Sequence, residues 1–201
     1  MSSKKLPFCD EVLFTEKDIL ARVHELSKTI ARDYEGKATI ESPLVLVCVL
    51  KGSFLFMADL ARALSDAGVP TVAEFICASS YSGGMQSTGE VRMLLDLRMP
   101  IRGRHVLMVE DIVDTARTLD FLMKLFTTRS PASLKMVTLL DKKGTRQVPL
   151  RVDYVCFDIP NKFVVGYGLD YAERLRELRE VIAFNEPAFQ RYLRENRASK
   201  L

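Results

Sequence analysis

Apolar and polar positions change period repeatedly along the chain, and each change marks an element. A helical pattern opens at Thr15, whose hydroxyl can cap a helix with Asp18 answering three residues later, and it runs to Tyr34 before Gly36. Residues 44–50 form an uninterrupted apolar run, as a strand buried on both faces of a parallel sheet requires. Lys51, Gly52 and Ser53 make a tight turn into a helix over residues 54–67, closed by Gly68 and Pro70. A strand is predicted over 72–78. Residues 79–90 then lose apolar character and gain Gly83, Gly84 and Gly89, and a loop of that length in a compact domain is commonly a lid. Strand patterning resumes at 91–97, 106–109, 134–140, 154–157 and 163–167, with helices over 119–126 and 187–194. Strands alternating with helices predict an α/β fold with a mostly parallel twisted sheet flanked by helices. With no repeat or low-complexity linker, the 201 residues are expected to form a single domain, 1–201.

The densest chemistry lies in V-L-M-V-E-D-I-V-D-T-A-R-T-L from Val106 to Leu119. An apolar strand delivers three carboxylates, Glu110, Asp111 and Asp114, to the strand end where open α/β sheets bind ligands. Thr115, Ala116, Arg117 and Thr118 follow, offering two hydroxyls and a cation at the start of a helix. Free backbone N–H groups and the helix dipole make such a start a phosphate cradle. Carboxylates repel phosphate, so the acids suit ribose hydroxyls, which donate to them. The combined expectation is a ribose 5-phosphate site.

Composition narrows the classes. A net charge of +3, with no Lys/Arg block, argues against nucleic acid. No segment approaches 18 apolar residues, so no membrane span or signal peptide is predicted. The four cysteines lie far apart without CxxC spacing and read as reduced thiols. His24 and His105 lack partners at metal-ligand spacing and are assigned to packing or surface. Ser199, Lys200 and Leu201 spell the S-K-L peroxisomal address, implying import into a peroxisome-like organelle through its receptor, with the cytoplasm as the alternative.

The 106–119 segment, together with F-V-V-G-Y-G-L-D-Y from Phe163 to Tyr171, resembles the purine phosphoribosyltransferases, and among them those that take hypoxanthine and guanine. The resemblance runs from the first strand to Phe184. It implies the type I phosphoribosyltransferase fold, with a small hood formed by the chain ends. It also implies transfer of a 5-phosphoribosyl group from phosphoribosyl pyrophosphate to N9 of hypoxanthine or guanine, giving IMP or GMP and pyrophosphate. Asp114 would be the general base at purine N7. Glu110 and Asp111 would hold the ribose hydroxyls, directly or through metal-bound water, and Thr115, Ala116, Arg117 and Thr118 the 5-phosphate. Lys51, Gly52 and Arg176 would bind pyrophosphate, and the Leu50-Lys51 peptide can be cis in this family. Lys142 would donate to the purine O6, Phe163 would stack on the ring and the Val164 backbone would read its edge. Asp170, beside the base, would join Glu110 and Asp111 around Mg²⁺. Ser80 and Tyr81 would belong to the lid. Taken singly, Lys142 reads as a solvated lysine and Phe163 as core.

Two departures stand out. Ala116 and Arg117 replace the Gly and Lys common in the family; alanine keeps the turn tight only if its backbone does not need positive φ. Two alternatives stay open, a xanthine-preferring enzyme and a non-enzymatic nucleotide-sensing regulator on the same fold. The resemblance favours a homodimer or homotetramer.

Overall fold

The structure, a computed structural model, describes residues 3, 6–80 and 91–198. In chain order its elements are β1 (Cys9–Phe14), α1 (Glu16–Tyr34), β2 (Leu44–Leu50), α2 (Phe54–Asp66), β3 (Thr71–Ser80), β4 (Val91–Leu95) and β5 (His105–Val113). There follow α3 (Arg117–Thr127), β6 (Ser133–Asp141), β7 (Tyr154–Asp158), β8 (Val164–Val165), β9 (Val181–Phe184) and α4 (Glu186–Ala198). They divide into two compact units, one of residues 20–161 and one contributed by the two ends of the chain.

The larger unit is built on a six-stranded sheet in the order β4-β3-β2-β5-β6-β7. All neighbours pair parallel except β3 and β4. The apolar run of β2 explains its central place: residues 44–49 are buried, which a strand covered on both faces demands. α2 packs on β2, β3 and β5, while α3 packs on β3 and β6. α3 buries Leu119, Leu122 and Phe126, one stripe at helical spacing. The Arg22 guanidinium on α1 donates to the Val155 and Cys156 carbonyls of the edge strand β7, both at 2.9 Å, covering polar groups that an edge would leave open.

The capping expectation at α1 holds. Asp18 N–H donates to Thr15 Oγ1 at 3.2 Å, and Thr15 N–H returns the bond to Asp18 Oδ2 at 3.0 Å.

The smaller unit holds an antiparallel sheet in the order β1-β9-β8, joining the N-terminal strand to two C-terminal ones. Phe8, Phe184 and Phe189 form its aromatic core with ring centroids 4.9–6.2 Å apart. β1 and β9 had no counterpart in the patterning. They are short, and Cys9 pairs with Phe184, so only tertiary pairing makes them strands.

Several boundaries move. β5 continues to Val113 rather than ending at Val109, because its ladder with β6 carries on through Glu110↔Thr138 and Val113↔Asp141. α3 begins at Arg117 and α4 runs longer than 187–194. The strand expected over 163–167 shrinks to Val164–Val165, since Gly166 and Tyr167 turn the chain at positive φ.

Candidate active site

β2 lies between β3 and β5. The chain leaves β2 to build one side of the sheet and returns through β5 to build the other. Loops that follow the two central strands therefore diverge, and their C-terminal ends frame a crevice. Those loops start at Lys51 and at Asp114.

The parallel register Cys48↔Val109 brings the turn after β2 level with Asp111. A Cβ on Gly52 would stand 1.5 Å from Asp111 Oδ2, so only glycine admits this carboxylate. Two sequence-predicted groups, the 51–52 turn and the acidic pair, are thus brought into contact. The Leu50-Lys51 peptide is cis. Ser53, which the sequence reading used only as a turn residue, has a buried hydroxyl with no hydrogen-bond partner at the N-terminus of α2. That helix has no acidic residue in its first turn, which leaves its positive end free for an anion.

Glu110 and Asp111 lie inside β5, not beyond it as the patterning predicted. Asp111 Oδ1 accepts the Ile112 N–H at 2.8 Å. Glu110 Oε2 is buried without a partner. Burial, and then the Asp111 charge, push the Glu110 carboxyl well above the usual carboxylate range.

The turn before α3 corrects the condition placed on Ala116. This residue is buried and sits at φ 67°, in the left-handed region, immediately before α3. Glycine adopts that conformation freely, whereas alanine pays about 1–2 kcal/mol there. The first helical bond, Asp120 N–H to the Ala116 carbonyl at 2.9 Å, then leaves the amides of the first turn without partners inside the helix. Asp114, Thr115, Arg117 and Thr118 line a pocket of about 160 Å³ with Glu110 and neighbouring residues.

The β5–β6 register explains Lys142. Val113 pairs with Asp141, so the next residues, Asp114 and Lys142, emerge side by side. Lys142 N–H donates to the Val113 carbonyl at 2.9 Å. Its ammonium lies 3.4 Å from Asp114 Oδ2, and the residue is 6% exposed. It is a buried, placed cation, not the solvated lysine that its type alone would imply.

In the smaller unit Phe163 is 57% exposed, its ring centroid 6.1 and 5.8 Å from those of Tyr171 and Phe184. Val164 lies on β8, whose outer edge pairs with no strand among the described residues. Two tight hairpins follow, Gly166↔Leu169 and Tyr171↔Arg174, with both central residues of each at positive φ. They bring Asp170 and Arg176 together: Arg176 Nη2 is 2.9 Å from Asp170 Oδ1, and Nη1 donates to the Gly168 carbonyl at 2.7 Å. Asp170 Oδ2 also accepts the Glu173 N–H at 2.8 Å.

Ser80 ends β3, and Tyr81 with the rest of the expected lid lies outside the described residues, as do Ser199, Lys200 and Leu201. Asp141 and Arg146 were not singled out in the sequence, though an Asp closing an apolar strand was the available signal. His24 is exposed, and His105 Nδ1 lies 2.7 Å from Ser133 Oγ. All four cysteines are free thiols.

A mostly parallel sheet with acids, an open helix start and a buried lysine at its switch point is the arrangement of a nucleotide-handling α/β enzyme. The chain is a member of the phosphoribosyl transferase family, whose domain model matches residues 11–172. It is 49% identical over 189 residues to the hypoxanthine-guanine phosphoribosyltransferase of Leishmania donovani, covering 94% of this chain and 90% of that protein. The Crithidia fasciculata enzyme of the same name is 50% identical over 186 residues, covering 92% and 89%. Among solved structures, the hypoxanthine phosphoribosyltransferase of Trypanosoma cruzi in complex with the product IMP matches with a TM-score of 0.85 at 55% identity, covering 90% of this chain and 96% of that one.

Proposed function

We propose that this protein is a purine-salvage enzyme that transfers 5-phosphoribosyl from phosphoribosyl pyrophosphate to N9 of hypoxanthine or guanine. The observation that carries this reading furthest is the buried Lys142 ammonium beside Asp114, one residue from the phosphate turn. An ammonium has three donors and no acceptor, so it suits a 6-oxopurine and opposes the 6-amino group of adenine.

In this reading the 5-phosphate rests on the amides and hydroxyls of residues 115–118, and Glu110 and Asp111 accept from the ribose hydroxyls. As the bond from C1′ of the ribose to the pyrophosphate oxygen breaks and the bond to N9 forms, the single proton of the purine's five-membered ring, carried on N7, passes to Asp114. Lys51, Gly52 and Arg176 hold the departing pyrophosphate. Phe163 stacks on the purine and the Val164 backbone reads its edge.

Among the described residues no three His, Cys, Asp or Glu side chains gather to hold a metal ion. Mg²⁺ fits all the same, because it is bound through one or two carboxylates with substrate phosphates and waters completing its shell. Glu110 and Asp111 would hold it in the larger unit, where the buried Glu110 Oε2 has no hydrogen-bond partner; Asp170 is a separate candidate in the smaller unit. When bound, the ion neutralises charge on the diphosphate.

The deciding experiment incubates the purified protein with phosphoribosyl pyrophosphate, Mg²⁺ and each of hypoxanthine, guanine, xanthine and adenine. Hypoxanthine and guanine should be consumed with release of pyrophosphate, and adenine should not. Asp114→Asn should lower kcat by about 10²- to 10⁴-fold, the usual loss for a general base. Preference for xanthine would favour the alternative enzyme; no transfer to any base would overturn the proposal.

A further inference from the structure

Asp141 and Arg146 form an ion pair that the proposed chemistry does not use. Asp141, 1% exposed at its side chain, closes the apolar strand β6, and Arg146 Nη2 lies 2.6 Å from its Oδ2. Arg146 Nη1 donates to the Leu150 carbonyl at 2.7 Å. The segment between them, K-K-G-T-R-Q from Lys142 to Gln147, has no apolar side chain to anchor it, so its shape depends on polar bonds. Thr145 donates from its N–H and its hydroxyl to the Lys142 carbonyl, at 3.1 and 2.9 Å. Gln147 N–H donates to the Thr115 carbonyl at 3.0 Å. One short loop therefore starts at the buried lysine, is clamped to β6 at Arg146, and ends on the phosphate turn.

Burying two charges is unfavourable unless their attraction and further hydrogen bonds offset the lost hydration. Here Asp141 Oδ1 and Arg146 Nε are buried without partners, so the pair is not fully compensated. A pair in this condition is poorly explained by stability. It is better explained by the geometry that it imposes.

We propose that Arg146 is a positioning residue: through Asp141 it holds the 142–147 loop so that the Lys142 ammonium and the Thr115 turn keep one spacing. Base and 5-phosphate are then recognised together as the two ends of one nucleotide. The inference rests on the transferase reading above.

Arg146→Met alone strands the Asp141 carboxylate and is expected to lower the melting temperature. The double variant Asp141→Leu/Arg146→Met removes both charges at similar volume and keeps the test independent of folding. With the double variant melting near the wild type, calorimetry should show IMP binding weakened by about 10²-fold, the scale of an ångström misplacement. KM for phosphoribosyl pyrophosphate and for hypoxanthine should each rise about tenfold, as when a supporting hydrogen-bond partner is removed, with kcat changing less. Arg146→Lys should recover part of both KM values. A folded double variant with IMP affinity and both KM values within twofold of an active wild type overturns the inference alone. A wild type that neither binds IMP nor transfers the phosphoribosyl group overturns the underlying reading as well.

Discussion

Ala116 shows how a single methyl group can be held in a conformation made for glycine. Its left-handed backbone costs about 1–2 kcal/mol relative to glycine. Replacing it by glycine, however, exposes the unfolded chain's greater freedom, about 0.4–1 kcal/mol. It also gives up one buried methyl, about 0.8 kcal/mol. These effects nearly cancel, which is why alanine is tolerated in this left-handed turn. Ala116→Gly should therefore change unfolding free energy by less than about 0.5 kcal/mol in urea denaturation, whereas Ala116→Val, branched at Cβ and at positive φ, should lose about 2 kcal/mol or more. A large stabilisation by glycine would show that the left-handed strain outweighs the two opposing effects. Gly52 is the opposite case: the Asp111 carboxylate fills the space of its missing side chain, so no other residue fits without moving the acid.

Elements are tied to one another by a few polar clusters. Near the C-terminus of α1, Asp33 accepts from Lys135 on β6 at 2.7 Å and from the Tyr154 hydroxyl on β7. Lys135 donates to the Tyr154 oxygen at 2.9 Å and lies over the Tyr34 and Tyr154 rings at 5.6 and 5.2 Å. The hydrogen bond from Lys135, then that from Tyr154, hold the Asp33 carboxyl below its ordinary 3.8. A folded-state value below the unfolded one means stability present above pH 3.8 and lost as pH falls through the folded value. Asp33→Asn should thus lower stability at neutral pH and flatten its fall in acid, so that the two denaturation profiles converge as pH drops below about 4. Parallel profiles would show that the cluster does not titrate with folding. The side chain is partly exposed, so the gap should be modest and should shrink with salt.

At the scale of the molecule, one margin of the large sheet leaves several large apolar side chains exposed. β3 and β4 leave Phe75, Leu94 and Leu95 at 41, 58 and 43% exposure, and β4 is an edge strand. An exposed edge with large apolar side chains favours association. Light scattering should therefore give a mass two or four times the 22.7 kDa of the chain, and a monomer across the accessible concentration range would rule out the homo-oligomer.

The parallel sheet was legible because β2 and the first half of β5 are apolar on both faces, a pattern that few other structures need. The α1 cap was legible because Thr15 and Asp18 satisfy each other three residues apart. The acids and the turn that follows them are contiguous, so local order alone placed them together. Register, by contrast, is a property of neighbouring strands. Only pairing with β6 extends β5 through Val113 and sets Lys142 beside Asp114. Only the approach of Asp111 reveals why residue 52 is glycine. Only β9, some 170 residues further on, makes β1 a strand. Nor does any local pattern foretell Arg146, whose partner Asp141 was hidden as the last letter of an apolar run. Periodicity and contiguous motifs record what a segment can do by itself; burial of charge, left-handed turns and strand register depend on what arrives from elsewhere in the chain.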